Sequence, residues 1–180
     1  MYFRVVSVPV VEKSFQRMEN SASKPPVEEY ISRSEDDTLR IARSFARRLQ
    51  PGDIIALYGD LGAGKTEFVK GICQYFQVEE LVTSPTFTII NQYLGSFPDG
   101  EQITLYHVDL YRIKSPKELE GIGFEECITT SDSIKMVEWS ENADSYLAEL
   151  PHYTVSIEFS PESETARVIR IAHVQSVEVL

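Results

Sequence analysis

Cysteine is scarce in this chain of 180 residues: Cys73 and Cys127 are the only two, and they lack CxxC spacing. That argues against a disulfide framework or a cysteine-built zinc centre and suits a reducing compartment. Histidine is as thinly spread, at His107, His152 and His173. Basic charge is also short, with 17 Lys and Arg against 28 Asp and Glu and a formal charge of −11. The first 30 residues carry four side chains of each sign, so the excess acidity lies in the remaining 150. Affinity for a phosphate backbone comes from Lys and Arg displacing condensed counterions, so unaided nucleic-acid binding is disfavoured. No run approaches the roughly 18 consecutive apolar residues of a membrane helix. The apolar start, Val5 to Val11, is broken by Ser7 and Pro9 and has no cleavage pattern of a secretory signal. A cytoplasmic protein with no membrane partner is expected. Its 42% hydrophobic content suffices for a continuous core and excludes disorder of the whole chain.

Met1 to Pro26 reads as an appendage with a linker, or a short added strand. From Ser34, an N-cap, acids in the first turn and the spacing of Leu39, Ala42, Phe45, Ala46 and Leu49 predict a helix, which Pro51 and Gly52 end. Arg40, Arg43 and Arg47 share another of its faces. A strand from Asp53 to Tyr58 leads through a glycine-rich turn into a helix from Lys65 to Phe76. Thr86–Tyr93 and Gln102–Leu110 predict an antiparallel pair around a turn holding Gly95, Pro98, Asp99 and Gly100. Short helices follow near 116–120 and 125–128, then strands over 134–138, 153–159 and 166–171. Between Pro116 and Leu150 nine acids face two lysines, a solvated face or a docking one.

Gly59-Asp60-Leu61-Gly62-Ala63-Gly64-Lys65-Thr66 matches G-x-x-x-x-G-K-[ST], the Walker A pattern, in the strand-to-helix setting it requires. Such a loop works because consecutive amide N–H groups wrap phosphate oxygens at the positive end of a helix. The glycines permit the dihedrals and the close approach, Lys65 reaches outer phosphates, and the Thr66 hydroxyl serves magnesium. The expected ligand is therefore a nucleoside triphosphate. None of the seven lysines follows Asn or Thr, so the guanine-reading [NT]-K-x-D element is lacking and ATP is expected.

A phosphate loop of this kind needs a strand-end acid for hydrated magnesium and a group that orients water. Asp109 and Glu138 both qualify, and the sequence does not divide the roles between them. Thr86, within Ser84-Pro85-Thr86-Phe87, is a candidate for contact with the terminal phosphate or simple turn chemistry. His107 reads as a sheet histidine, and Arg112 as a phosphate contact or the partner of an acid.

Taken together, GDLGAGKT at 59–66, SPTF at 84–87, HVDLYR at 107–112, ELEGIGFEE at 118–126 and VEW at 137–139 resemble the TsaE family. These are small P-loop ATPases of tRNA threonylcarbamoyladenosine synthesis, and the likeness covers roughly residues 34–171. It implies an α/β fold, a P-loop NTPase-like three-layer core with a mixed β-sheet flanked by helices. Residues 31–180 would form that ATPase domain, and 1–30 would be an extension without family counterpart. It further implies Thr66 and Glu138 as magnesium ligands, Asp109 as an acid needed for hydrolysis, Thr86 as a switch-like threonine and Trp139 beside the nucleotide. Glu67 stands where the family commonly has a second threonine, and Ser140 where it commonly has proline. The implied partners are TsaD and TsaB, with tRNA reached indirectly through that complex.

The expectation is thus a magnesium-dependent ATPase subunit, weak without its partners. Two rivals are a small-molecule or nucleoside kinase, which would need an arginine-bearing lid, and a nucleotide switch that does not hydrolyse.

Overall fold

The computed structural model describes residues 26–175. The appendage expected over Met1 to Pro26 lies, apart from Pro26, outside the described residues. Elements run in the order β1 (Glu28–Ser32), α1 (Glu35–Ala46), β2 (Ile54–Tyr58), α2 (Lys65–Tyr75), β3 (Ile90–Ser96) and β4 (Gln102–Asp109). There follow α3 (Pro116–Glu120), α4 (Phe124–Thr129), β5 (Ser133–Glu138), a 3-10 turn (Ser140–Ala143), α5 (Asp144–Leu147), β6 (His152–Phe159) and β7 (Arg167–Val174). The seven strands make one mixed sheet in the order β1-β7-β6-β2-β5-β4-β3. The inner four, β6-β2-β5-β4, are parallel, while β3, β7 and β1 add antiparallel flanks.

Side chains along a strand alternate between faces, and the two sets here build separate cores. Ile55, Leu57, Ile134, Met136, Ile103 and Leu105 pack beneath α1 and α2. Ile54, Ala56, Val137, Val108 and Leu110 pack against Leu119, Phe124, Ile128 and Leu147 of the short helices. The result is helix, sheet, helix. Because both faces are covered, β5 is buried at every position, including Lys135, whose ammonium donates to the carbonyls of Gly52, Thr130 and Ser133.

α1 begins where Ser34 Oγ accepts from the Asp37 amide at 3.1 Å, with Glu35, Asp36 and Asp37 in the first turn at the positive helix end. It buries Thr38, Ile41, Ala42, Phe45 and Ala46, while Leu39 stays half-buried. Its contact with α2 is close at Gly71, where a Cβ would lie 2.6 Å from both Ala42 Cβ and the Leu39 carbonyl oxygen.

Three expectations change. Thr86–Ile89 is a turn, not the start of β3: the Ile89 amide donates to Pro85 O at 2.6 Å, and Ile89 adopts φ +68°, which a β-branched residue avoids in a strand. Gly95 lies inside β3, not in the following turn, because the strand crosses the end of α2 there. A Cβ on it would sit 2.6 Å from Phe76 O. β1, Glu28–Ser32, is a strand that the local pattern does not predict, since it is set by antiparallel pairing with β7. Among the described residues no helix is long and apolar enough to cross a membrane.

Gly71→Ala is expected to lower stability by about 1–3 kcal/mol through overpacking of α1 on α2. That outweighs the roughly 1 kcal/mol that Ala contributes by helix propensity. Thermal denaturation reads the balance, and an unchanged or higher Tm would mean that the two helices can separate freely.

Candidate active site

β2 delivers the chain at Tyr58 into the glycine-rich loop, beside the C-terminal ends of β4 and β5. This is the edge of a parallel sheet at which ligands bind in open α/β folds. Gly59 leaves the strand at φ +143°, and a Cβ there would collide with the carbonyl of Ile157 in β6. Gly62 and Gly64 take φ +77° and +111°, with open space where a side chain would project. Gly64 is the N-cap of α2 and provides no side-chain cap, so the first amides of that helix remain available to an anion. The loop is braced by Ala63 N donating to Asp60 O at 3.1 Å and by Arg167 Nε donating to Ala63 O at 3.1 Å. It borders a cleft of about 410 Å³.

Lys65 is turned back towards its own loop. Its Nζ donates to the carbonyls of Gly59 at 2.5 Å and Asp60 at 3.0 Å and lies 3.6 Å from the centre of the Trp139 ring. Burial holds the ammonium below the usual lysine value, opposed by the nearby carboxylates of Glu138, Glu141, Asp109 and Asp60. Burial likewise raises Glu141. Leu61, at 72% exposure, lies on the rim. Glu67 also lines the cleft but is paired with Lys70 at 2.9 Å, which offsets its charge towards an anion.

The two strand-end acids sit side by side, since Asp109 and Glu138 are direct partners in the parallel β4–β5 register. Their contacts differ. Glu138 Oε1 accepts from Thr66 Oγ1 at 2.8 Å and lies 2.8 Å from His107 Nε2. Asp109 Oδ2 accepts from Ser84 Oγ at 2.5 Å and Thr86 Oγ1 at 2.8 Å, while Oδ1 accepts the Tyr111 amide at 3.0 Å. Trp139 ends β5 in the left-handed region, φ +59°, a strained choice for a bulky residue that sets its ring against Lys65 and Tyr111. Ser140 is buried and donates to Val137 O at 2.8 Å, closing the turn after it.

Magnesium usually takes one or two protein oxygens and completes its octahedron with water and phosphate. The Thr66 hydroxyl and Glu138 carboxylate, 2.8 Å apart at the loop mouth, are such a pair of hard oxygen donors. No cluster of three or more His, Cys, Asp or Glu capable of holding a metal unaided exists among the described residues. The donor set therefore fits a metal that is completed by its nucleotide.

The structure thus groups Leu61 to Glu67, Thr86, Asp109, Glu138 and Trp139 around one cleft, while Gly59 and Asp60 meet it through their carbonyls on Lys65. Arg112 does not join them; its guanidinium stacks over Phe87, 5.4 Å from the ring centre. Sequence reasoning missed three contributors: Ser84 as a second hydroxyl on Asp109, Arg167 as a brace of the loop, and His107 as a contact of Glu138. Only long-range pairing brings them in, so no local signal marks them.

The family model for threonylcarbamoyl adenosine biosynthesis protein TsaE matches residues 32–169. The chain is 39% identical over 142 residues to the tRNA threonylcarbamoyladenosine biosynthesis protein TsaE of Treponema pallidum (strain Nichols), covering 79% of this chain and 98% of that one. It is 44% identical over 109 residues to the protein of that name from Rickettsia conorii and 41% identical over 105 residues to that of Bacillus subtilis (strain 168). Those matches cover 60% and 58% of this chain and only 58% and 61% of the relatives' own lengths. Among solved structures, the crystal structure of Bacillus subtilis YdiB superposes with a TM-score of 0.65 at 27% identity, covering 85% of this chain and 89% of that one.

A triphosphate in the cleft is expected to draw Lys65 from the carbonyls of Gly59 and Asp60 and from the Trp139 ring. Trp139 is the only tryptophan, so its emission is expected to change on titration with ATP and magnesium. Lys65→Met is expected to remove most of that response. A silent wild-type titration would contradict the reading of this loop as a phosphate cradle.

Proposed function

The chain belongs to the TsaE family, and from that premise we propose that it binds and hydrolyses ATP with magnesium as a subunit serving threonylcarbamoyladenosine formation in tRNA. The observation that carries the proposal is the convergence of Thr66 and Glu138, 2.8 Å apart, beneath a glycine loop whose helix-start amides are uncapped. Asp109 stands next to them on the neighbouring strand. The proposed setting is the cytoplasm, with TsaD and TsaB as protein partners and tRNA reached through them.

The work falls to this chain's own groups as follows. Loop amides from Gly59 to Thr66 hold the inner phosphates. Lys65 leaves the carbonyls of Gly59 and Asp60 and places its charge on the outer phosphates. Thr66 and Glu138 would hold magnesium, which when bound would neutralise phosphate charge. Asp109 Oδ2 already accepts two hydroxyls, so it becomes available to orient water only when Ser84 or Thr86 turns away. A Thr86 hydroxyl released in this way lies in the lining of the same cleft and can address the terminal phosphate. Trp139 covers Lys65 and shields the site from water.

Charge explains why the metal matters. Glu35, Glu67, Asp109 and Glu138 line the cleft against Lys65 and Arg167, so metal-free ATP meets an acidic wall. A rearrangement of the 84–86 segment that partners would promote is the proposed reason for a low rate without them.

Asp109→Asn is expected to cut phosphate release about a hundredfold while leaving ATP binding in place, as loss of a water-orienting carboxylate should. The measurement is phosphate release from ATP, alone and with TsaD, TsaB and tRNA. Brisk, partner-independent phosphoryl transfer to a small acceptor would overturn the proposal in favour of a kinase.

A further inference from the structure

His107 takes no part in the steps above, yet it is wholly buried beside the cleft, at 0% exposure. It lies on β4 two residues before Asp109, on the sheet face that α2 covers. Its one polar contact goes to a carboxylate: Nε2 is 2.8 Å from Glu138 Oε1, the oxygen that also meets Thr66. Nδ1 is buried with no hydrogen-bond partner. Buried polar atoms are normally satisfied, and a histidine kept only to fill the sheet would not be expected to leave one nitrogen orphaned. The ring position is dictated instead by what Nε2 reaches.

Glutamate has three rotatable bonds, so a carboxylate at a strand end does not fix itself. Here Oε1 is held from two sides, by a helix hydroxyl and by a sheet imidazole, and Oε2 accepts no hydrogen bond among the described residues. We propose that His107 is a positioning residue for the magnesium-binding carboxylate: through Nε2 it holds Glu138 with Oε1 beside Thr66 and Oε2 free for a ligand. This rests on the magnesium reading given above. Partners that orient a metal ligand typically matter about 10–100-fold in metal affinity.

The test uses the full chain and three variants. His107→Leu removes the contact and keeps apolar bulk. His107→Gln can place an amide N–H near the position of Nε2, whereas the shorter His107→Asn cannot. ATP binding is titrated calorimetrically in EDTA and at graded magnesium, with the Tm of each variant measured without ligand. The Leu and Asn variants are expected to need about tenfold more magnesium for half of the metal-dependent gain in affinity, with affinity in EDTA unchanged, and Gln to restore the wild-type requirement. Added to Glu138→Gln, His107→Leu is expected to cause no further loss. The proposal is overturned if Leu keeps the wild-type magnesium requirement, if Gln and Leu fail alike, if affinity in EDTA falls in parallel, or if the two substitutions add. Should Leu fail to fold, the Gln and Asn pair carries the comparison. A wild-type chain whose ATP affinity ignores magnesium overturns this inference and the magnesium reading together. Magnesium dependence in the wild type that none of the variants alters overturns this inference alone.

Discussion

The site depends on a parallel register. Leu57 of β2 stands opposite Glu138 of β5, and Glu138 opposite Asp109 of β4, so the glycine loop and two carboxylates leave the sheet at the same level. Side chains on a strand alternate, and a slip of one residue in β5 would turn Glu138 towards the opposite core and bring Val137 to the cleft. The register is enforced by burial. Ile134 and Met136 on the face of Glu138 belong to one core, and Val137 belongs to the other, so a slip would also exchange apolar contacts on both sides. Lys135 adds a polar lock, since its ammonium reaches carbonyls both in the turn before β2 and in the turn before β5. Burial depresses this lysine from its ordinary value, and a buried amine without those acceptors would be costly. The sheet position of Glu138 is thus set by contacts well away from it.

Charge within the cleft follows from the same arrangement. Asp109, Glu138 and Glu141 lie towards one lysine and partly offset the cost of its burial, and its ammonium is met by two loop carbonyls and an indole face. An incoming triphosphate has to replace those contacts with better ones. Phosphate oxygens do so for the ammonium, and the uncapped helix start does so for the anion. The carboxylates remain uncompensated by either, a deficit that the proposed divalent ion at Thr66 and Glu138 would make good.

Much of this was legible because it is local. A phosphate loop is defined by contiguous residues, and its strand and helix follow from short-range periodicity, so Gly59 to Thr66 could be placed without knowing the rest of the chain. Strand-end acids are nearly as local, since a run such as Ile134 to Glu138 announces where it stops. What each acid does was not legible: Glu138 is distinguished by Thr66, 72 positions away, and Asp109 by Ser84 and Thr86, 25 and 23 positions away. The start of β3 was misplaced for a similar reason. Thr86 to Ile89 has the composition of a strand, but tethering to Asp109 and the left-handed Ile89 outweigh that propensity. His107 is the extreme case, for its one partner depends entirely on the β4–β5 register.

The walls of the cleft are unequally secured. The phosphate loop is fixed by backbone: Gly59 against Ile157, the Asp60–Ala63 turn, and a guanidinium on Ala63. The facing segment, 84–86, has Pro85 buried and its carbonyl accepting the Ile89 amide, but its side chains meet the site only through two hydroxyls that share a single oxygen of Asp109. It is flanked by Leu81 and Phe87, exposed by 85% and 88%, which gain little burial where they stand. Two donors on one acceptor oxygen compete with each other and with any water or phosphate that enters. Exchanging one of them costs far less than moving backbone that is packed against a neighbouring strand. Of the two walls, the hydroxyl-bearing segment is therefore the one whose side-chain contacts exchange more cheaply, and in the proposed reaction Asp109 would be the acceptor at which they do so.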